Sequence, residues 1–111
     1  MSDPAQVRRG DVVVAELPDP RGHEMRKRRP CVVISPDDMN EAQFTYLLVP
    51  LTTGRHPFRY RVPCSFQGQA GHIVLDQVWV SDASQVSSPI GKLPASTMRD
   101  ALARLREMFA E

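Results

Sequence analysis

Only the C-terminal end of this chain carries a helical period; everything before it reads as short strands cut by turn residues. Met98, Ala101, Leu102, Leu105, Met108 and Phe109 recur at spacings of three and four. That pattern predicts one amphipathic helix from about residue 95 to 109. Ser96 and Thr97 are good cap types, although Pro94 could equally stand just before the first turn. A chain with one helix at its end must build its core from strands, and the helix must cover them.

The strands follow from β-branched runs and their breakers. Gly10-Asp11 opens a strand over Val12 to Leu17, and Pro18 and Pro20 stop it. Residues 18 to 29 form a long polar loop, and in a small domain such loops usually carry function. Pro30 disfavours helix at Arg29. A second strand, Cys31 to Ile34, is closed by Ser35-Pro36-Asp37-Asp38. Phe44 to Val49 reads as a third strand ending at Pro50. Phe58 to Val62 alternates apolar residues with Arg59 and Arg61, the cleanest period-two stretch. Gly68 to Gly71 reads as a turn, and His72 to Val80 is strand-like, broken by Asp76-Gln77. Ser84 to Leu93 predicts a last short strand around Gly91. Five to seven short strands followed by one helix predict a mainly β domain, a twisted antiparallel sheet or small barrel with the helix packed against it. At 111 residues a single domain is expected.

Charge locates a candidate site. The formal net charge is +1, which argues against a non-specific polyanion coat, yet five of the 14 basic residues fall between Arg21 and Arg29, opposed there only by Glu24. A second polar loop, Thr52 to His56, follows another apolar strand. Cations and hydroxyls at two strand ends make a candidate anion site. Cys31 and Cys64 cannot build a structural zinc site alone and read as packed thiols. His56 and His72 read as surface or strand-edge residues, and Trp79 as core or a dimer-face anchor. No apolar leader and no membrane-length run are visible, so a cytoplasmic, soluble domain is expected.

Six short motifs, in order, resemble the MazF/PemK/Kid toxins of bacterial toxin–antitoxin systems. They are Gly10-Asp11 with its strand, Pro20-x-Gly22-His23-Glu24, Arg29-Pro30-x-Val32-Val33-Ile34-Ser35, Val49-Pro50-Leu51-Thr52-Thr53, Asp76-Gln77-Val78, and Gly91-Lys92-Leu93 before a helix. The likeness covers about residues 8 to 109. It implies an SH3-like barrel of the CcdB/PemK type, a homodimer, and an endoribonuclease that cuts single-stranded RNA, usually mRNA, without a metal or other cofactor. It also implies inhibition by a cognate antitoxin, with DNA engaged only through the antitoxin complex. The catalytic residues implied are Arg29 and Thr52, with Glu24 in the active-site loop. The loop here is more charged than is common in the family, because Met25-Arg26-Lys27-Arg28 precedes the Arg-Pro. Two other readings of the same fold are a CcdB-like gyrase poison and a non-catalytic module that only holds nucleic acid or antitoxin.

The residue types suit that chemistry. Metal-free RNA cleavage sends the 2′-hydroxyl against its own phosphate, and negative charge builds on the phosphorane. Arg29 offers fixed donors to phosphate oxygens. Thr52 can donate through its hydroxyl. Glu24 is the base that the resemblance suggests, but arginines around it would lower its basicity. His23 competes, since imidazole titrates near about neutral pH. Arg26, Lys27, Arg28, Thr53 and Arg55, with Arg59 and Arg61 as further candidates, could hold RNA phosphates. Asp76 and Gln77 could support the Arg29 loop by hydrogen bonding. The scarcity of clustered Asp, Glu and His agrees with a metal-free site.

Overall fold

The computed structural model describes residues 6–16, 28–54 and 58–111. Among these residues seven strands appear: β1 (Asp11–Glu16), β2 (Arg28–Val33), β3 (Thr45–Thr52), β4 (Arg61–Phe66), β5 (Gln69–Val74), β6 (Trp79–Asp82) and β7 (Gly91–Lys92). Two α-helices, α1 (Asp37–Glu41) and α2 (Ala95–Phe109), and 3-10 turns at Leu75–Gln77 and Ala83–Gln85 complete the order. The strands run β4-β5-β3-β2-β1-β7, with β6 also paired to β3, and every pairing is antiparallel. The result is the expected mainly β half-barrel with a C-terminal helix.

The sheet is buried on both faces, which is why β1 and β2 read as continuous apolar runs rather than as alternation. Val12, Val32, Val49 and Ile73 turn one way, onto Met98, Ala101 and Leu105 of α2. Val13, Ala15, Cys31, Val33 and Leu48 turn the other way, into a second cluster with Val7 and Tyr46. Trp79 packs against this second cluster. Each large side chain so buried contributes about 1.5–3 kcal/mol before entropy is subtracted. Helix α2 occupies the expected residues; Pro94 is its N-cap, with φ −59° and no side-chain cap, so Ser96 and Thr97 lie inside the first turn.

Several expectations need correction: β2 starts at Arg28 rather than Cys31, so residues 28 and 29 of the expected loop are strand, held there by pairing with Glu16 and Ala15 of β1. β3 does not end at Pro50 but runs on to Thr52. Pro50 is tolerated because β3 pairs with β6 over 45–48 and with β5 at 51–52, so the missing donor falls where β3 changes neighbours. The alternating Phe58 to Val62 segment is not a strand: Arg61 N–H closes a turn onto Phe58 O at 3.0 Å, and β4 begins only at Arg61. Leu75 N–H donates to Tyr60 O at 2.9 Å and Arg59 lies 3.1 Å from Glu107 of α2, so contacts with distant segments stand here in place of a strand ladder. The turn expected over Gly68 to Gly71 is a tighter two-residue hairpin at Gln67 and Gly68, both at positive φ, and Gly71 lies within β5. Helix α1 was not foreseen. Its Asn40 is fully buried and donates to Ser35 O at 2.9 Å, a side-chain anchor five residues back that hydrophobic periodicity does not register.

The two open edges of the half-barrel approach each other at one point. A Cβ on Gly91 of β7 would lie 2.7 Å from the Phe66 ring of β4, so any larger residue there would have to displace that ring.

Candidate functional site

Two proline-marked strands converge on the site. In β1, Val14 sends its backbone groups to Ser87, with Val14 N–H donating to Ser87 Oγ at 2.8 Å and Ser87 N–H donating to Val14 O at 3.0 Å. Pro30, opposite Val14, therefore loses no ladder bond to β1. β2 pairs with β3 through Cys31↔Pro50, Val32↔Val49 and Val33↔Leu48. The ladder stops at Cys31↔Pro50, and beyond it Arg29 and Thr52 border the same cleft. The Arg-Pro and Pro-Leu-Thr motifs, 20 residues apart in sequence, thus meet at one end of the sheet.

There they line a cleft of ≈ 280 Å³. Arg29, Thr52, Thr53 and Gln69 supply its polar wall, and Pro30, Leu51, Cys64 and Phe66 its apolar one. Arg29 is exposed at the rim. Among the described residues the ion pairs join Arg8 to Asp37, Arg59 to Glu107 and Arg61 to Asp76, and none engages Arg29. Cys64 lines the cleft but burial pushes its thiol up from the ordinary value, which keeps it protonated and poorly nucleophilic. Cys31, behind Arg29, donates to Arg29 O at 3.3 Å, and burial pushes its thiol up to about 12.

Thr52 is held in a defined orientation. Gly54 N–H donates to Thr52 Oγ1 at 3.1 Å, so the hydroxyl oxygen already accepts and its proton remains available to donate. The backbone beneath is locked by Gly71: a Cβ there would stand 2.1 Å from Thr52 O, and no other residue fits this approach without moving β3.

The other expected residues divide. Thr53 lines the cleft, and Arg28 is exposed on the last rung of the β1–β2 ladder, opposite Glu16. Asp76 bonds Arg61, at 3.5 Å, rather than Arg29, and Gln77 closes the same 3-10 turn. Arg59 and Arg61, considered for phosphate binding, both have carboxylate partners. His23, Glu24, Arg26, Lys27 and Arg55 lie outside the described residues. Among the described residues no group of three His, Cys, Asp or Glu side chains could hold a metal ion, and no described helix is long and apolar enough to cross a membrane.

Sequence reasoning missed Gly71, His72, Phe66 and Gln69. His72 is neither surface nor strand edge: it is half-buried in an inner strand, paired to Thr52 on one side and Pro63 on the other. A glycine inside a strand was the available signal for Gly71, since it often marks a close backbone approach.

Comparison with known proteins agrees with this arrangement. The family model described as PemK-like, MazF-like toxin of type II toxin–antitoxin system matches residues 8–109. Among solved structures, MazF from Deinococcus radiodurans superposes with a TM-score of 0.75 at 22% identity, covering 91% of this chain and 94% of that one. The MazE–MazF complex of the same organism gives 0.75 at 20% identity, covering 93% and 95%. An endoribonuclease in complex with its cognate antitoxin, from a mycobacterial species, gives 0.75 at 20% identity, covering 90% and 91%. At such identities these likenesses bear on the fold. No curated protein matches the sequence.

Proposed function

This chain belongs to the PemK-like, MazF-like toxins of type II toxin–antitoxin systems, and from that premise we propose that it is a sequence-specific, metal-independent endoribonuclease acting on single-stranded RNA. The observation that carries the reading is the convergence of Arg29 and Thr52 on one cleft, with the Thr52 hydroxyl proton left to donate. In this reading a scissile phosphate lies between the Arg29 guanidinium and Thr52 Oγ1. The 2′-oxygen attacks phosphorus as its proton passes to a base, Glu24 or His23. The bond from phosphorus to the 5′-oxygen breaks, that oxygen takes up a proton, and the products are a 2′,3′-cyclic phosphate and a 5′-hydroxyl. Arg29 and Thr52 act on the phosphorane charge, where a preorganised donor is worth about 10²–10³ in rate. The apolar wall of Pro30, Leu51 and Phe66 suits an adjacent base, since unstacked bases in single strands pack on such surfaces.

The remaining features of the reading follow from family membership: one toxin domain, a homodimer, a cytoplasmic setting, and inhibition by a cognate antitoxin. The solved complexes of similar folds with antitoxins support that last point.

The test is direct. Purified protein with EDTA is incubated with a long single-stranded RNA, beside an Arg29→Ala variant, and the ends are mapped. Discrete cuts, cyclic-phosphate ends and loss of cutting in the variant are expected, and a 2′-deoxy substitution at the cut site should abolish cleavage. RNA left intact across varied sequences would favour a non-catalytic module or a CcdB-like poison. Cutting that persists without Arg29 would refute its assigned role.

A further inference from the structure

His72 stands directly opposite Thr52 in the β3–β5 ladder. Its Nδ1 lies 3.2 Å from Gly54 O. A carbonyl can only accept, so Nδ1 must carry the proton in this contact. Gly54 is also the residue whose N–H fills the acceptor site of Thr52 Oγ1. Gly54 is thus held twice: the imidazole holds its carbonyl oxygen, and Thr52 Oγ1 holds its N–H and closes the three-residue turn from Thr52. Remove the imidazole and Gly54 O loses its side-chain partner. The turn can then relax, Gly54 N–H can leave Thr52, and the hydroxyl is no longer fixed as a donor.

We propose that His72 is a positioning residue for Thr52: by gripping Gly54 O it fixes the turn that aims the Thr52 hydroxyl proton into the cleft. The proposal rests on the reading above, in which Thr52 donates to the scissile phosphate. Single-sequence reasoning gives His72 no role, and its contribution passes wholly through the turn.

The experiment compares wild type with His72→Ala, His72→Asn, Thr52→Ala and the double variant Thr52→Ala/His72→Ala. Each is assayed for RNA cleavage under saturating and limiting RNA, for Gly54 amide hydrogen exchange, and for thermal unfolding. Asn is chosen because its side-chain N–H₂ sits where Nδ1 does. His72→Ala should lower kcat on the order of tenfold with KM unchanged, below the roughly hundredfold cost of a full ångström of misplacement. Gly54 exchange should accelerate while strand amides stay protected. His72→Asn should recover most of the rate and the protection. In the Thr52→Ala background His72→Ala should cost nothing more, since the two act through one hydroxyl.

The inference is overturned if Thr52→Ala abolishes cleavage while His72→Ala cuts like wild type. It is also overturned if the two losses multiply, or if the Ala loss tracks the unfolding temperature and Asn does not restore it. Failure of the underlying reading looks different: Thr52→Ala itself then cuts at the wild-type rate, and the proposed role of His72 falls with it.

Discussion

Gly71→Ala is the most demanding test of the site geometry. The added Cβ would stand 2.1 Å from Thr52 O, 3.0 Å from Thr52 C and 3.4 Å from Thr53 Cα. All three are backbone atoms, so no side-chain rotation relieves the overlap. Carbon and carbonyl oxygen rest at about 3.3–3.6 Å, so the Thr52 carbonyl must retreat by more than about 1 Å. A displacement of that size in a catalytic group costs about 10² in rate. The strain, as overpacking, costs about 1–3 kcal/mol of stability. Single-turnover cleavage at saturating RNA reads the first effect, and urea unfolding at 25 °C reads the second. Gly68→Ala is the control. Nothing lies within 4 Å of its Cβ, but its φ is +76°, so about 1–2 kcal/mol of backbone strain is expected with the cleavage rate kept. A Gly71→Ala protein with wild-type rate and stability would refute the close approach. Equal rate losses in the two variants would refute the link to Thr52.

Four further outcomes follow from the structure. Arg29→Lys keeps the charge but loses the planar fork, so kcat should fall about 10²-fold or more under saturating RNA; a near-wild-type rate would reduce Arg29 to a point charge. The Cys31 thiol is pushed up to about 12 from 9.0 by burial, so its contribution to stability is intact below about pH 9 and is lost as pH rises towards 12. Tyr46 and Cys64, also raised by burial, add to the decline. Urea midpoints across that window should therefore fall less steeply in Cys31→Val, by a slope approaching about 1.4 kcal/mol per pH unit. Leu105→Ala removes a core contact between α2 and the sheet and should cost about 2–5 kcal/mol in urea unfolding. A double-mutant cycle on Arg61 and Asp76, 3.5 Å apart and partly exposed, should give a coupling of about 0.2–1 kcal/mol.

Much of this was legible in the chain itself. The three- and four-residue spacing of Met98, Ala101 and Leu105 specified α2, because a helix that must bury one stripe writes that stripe into its sequence. The β-branched runs at 12–14 and 32–34 specified β1 and the second half of β2, because strands buried on both faces read as continuous apolar runs. Arg29, Pro30 and Thr52 were recognisable by residue type and order. The tertiary structure decided what lies between them. Local alternation at 58–60 gave way to a turn closed by Arg61 N–H on Phe58 O, and Pro50 proved compatible with a strand because β3 changes partners there. Above all, strand pairing brought Arg29 and Thr52 to one cleft, pressed Gly71 against the Thr52 carbonyl and put His72 beneath Gly54. Side-chain chemistry belongs to the residue and can be read from it. Register is a property of two distant strands at once, and only the folded sheet fixes it.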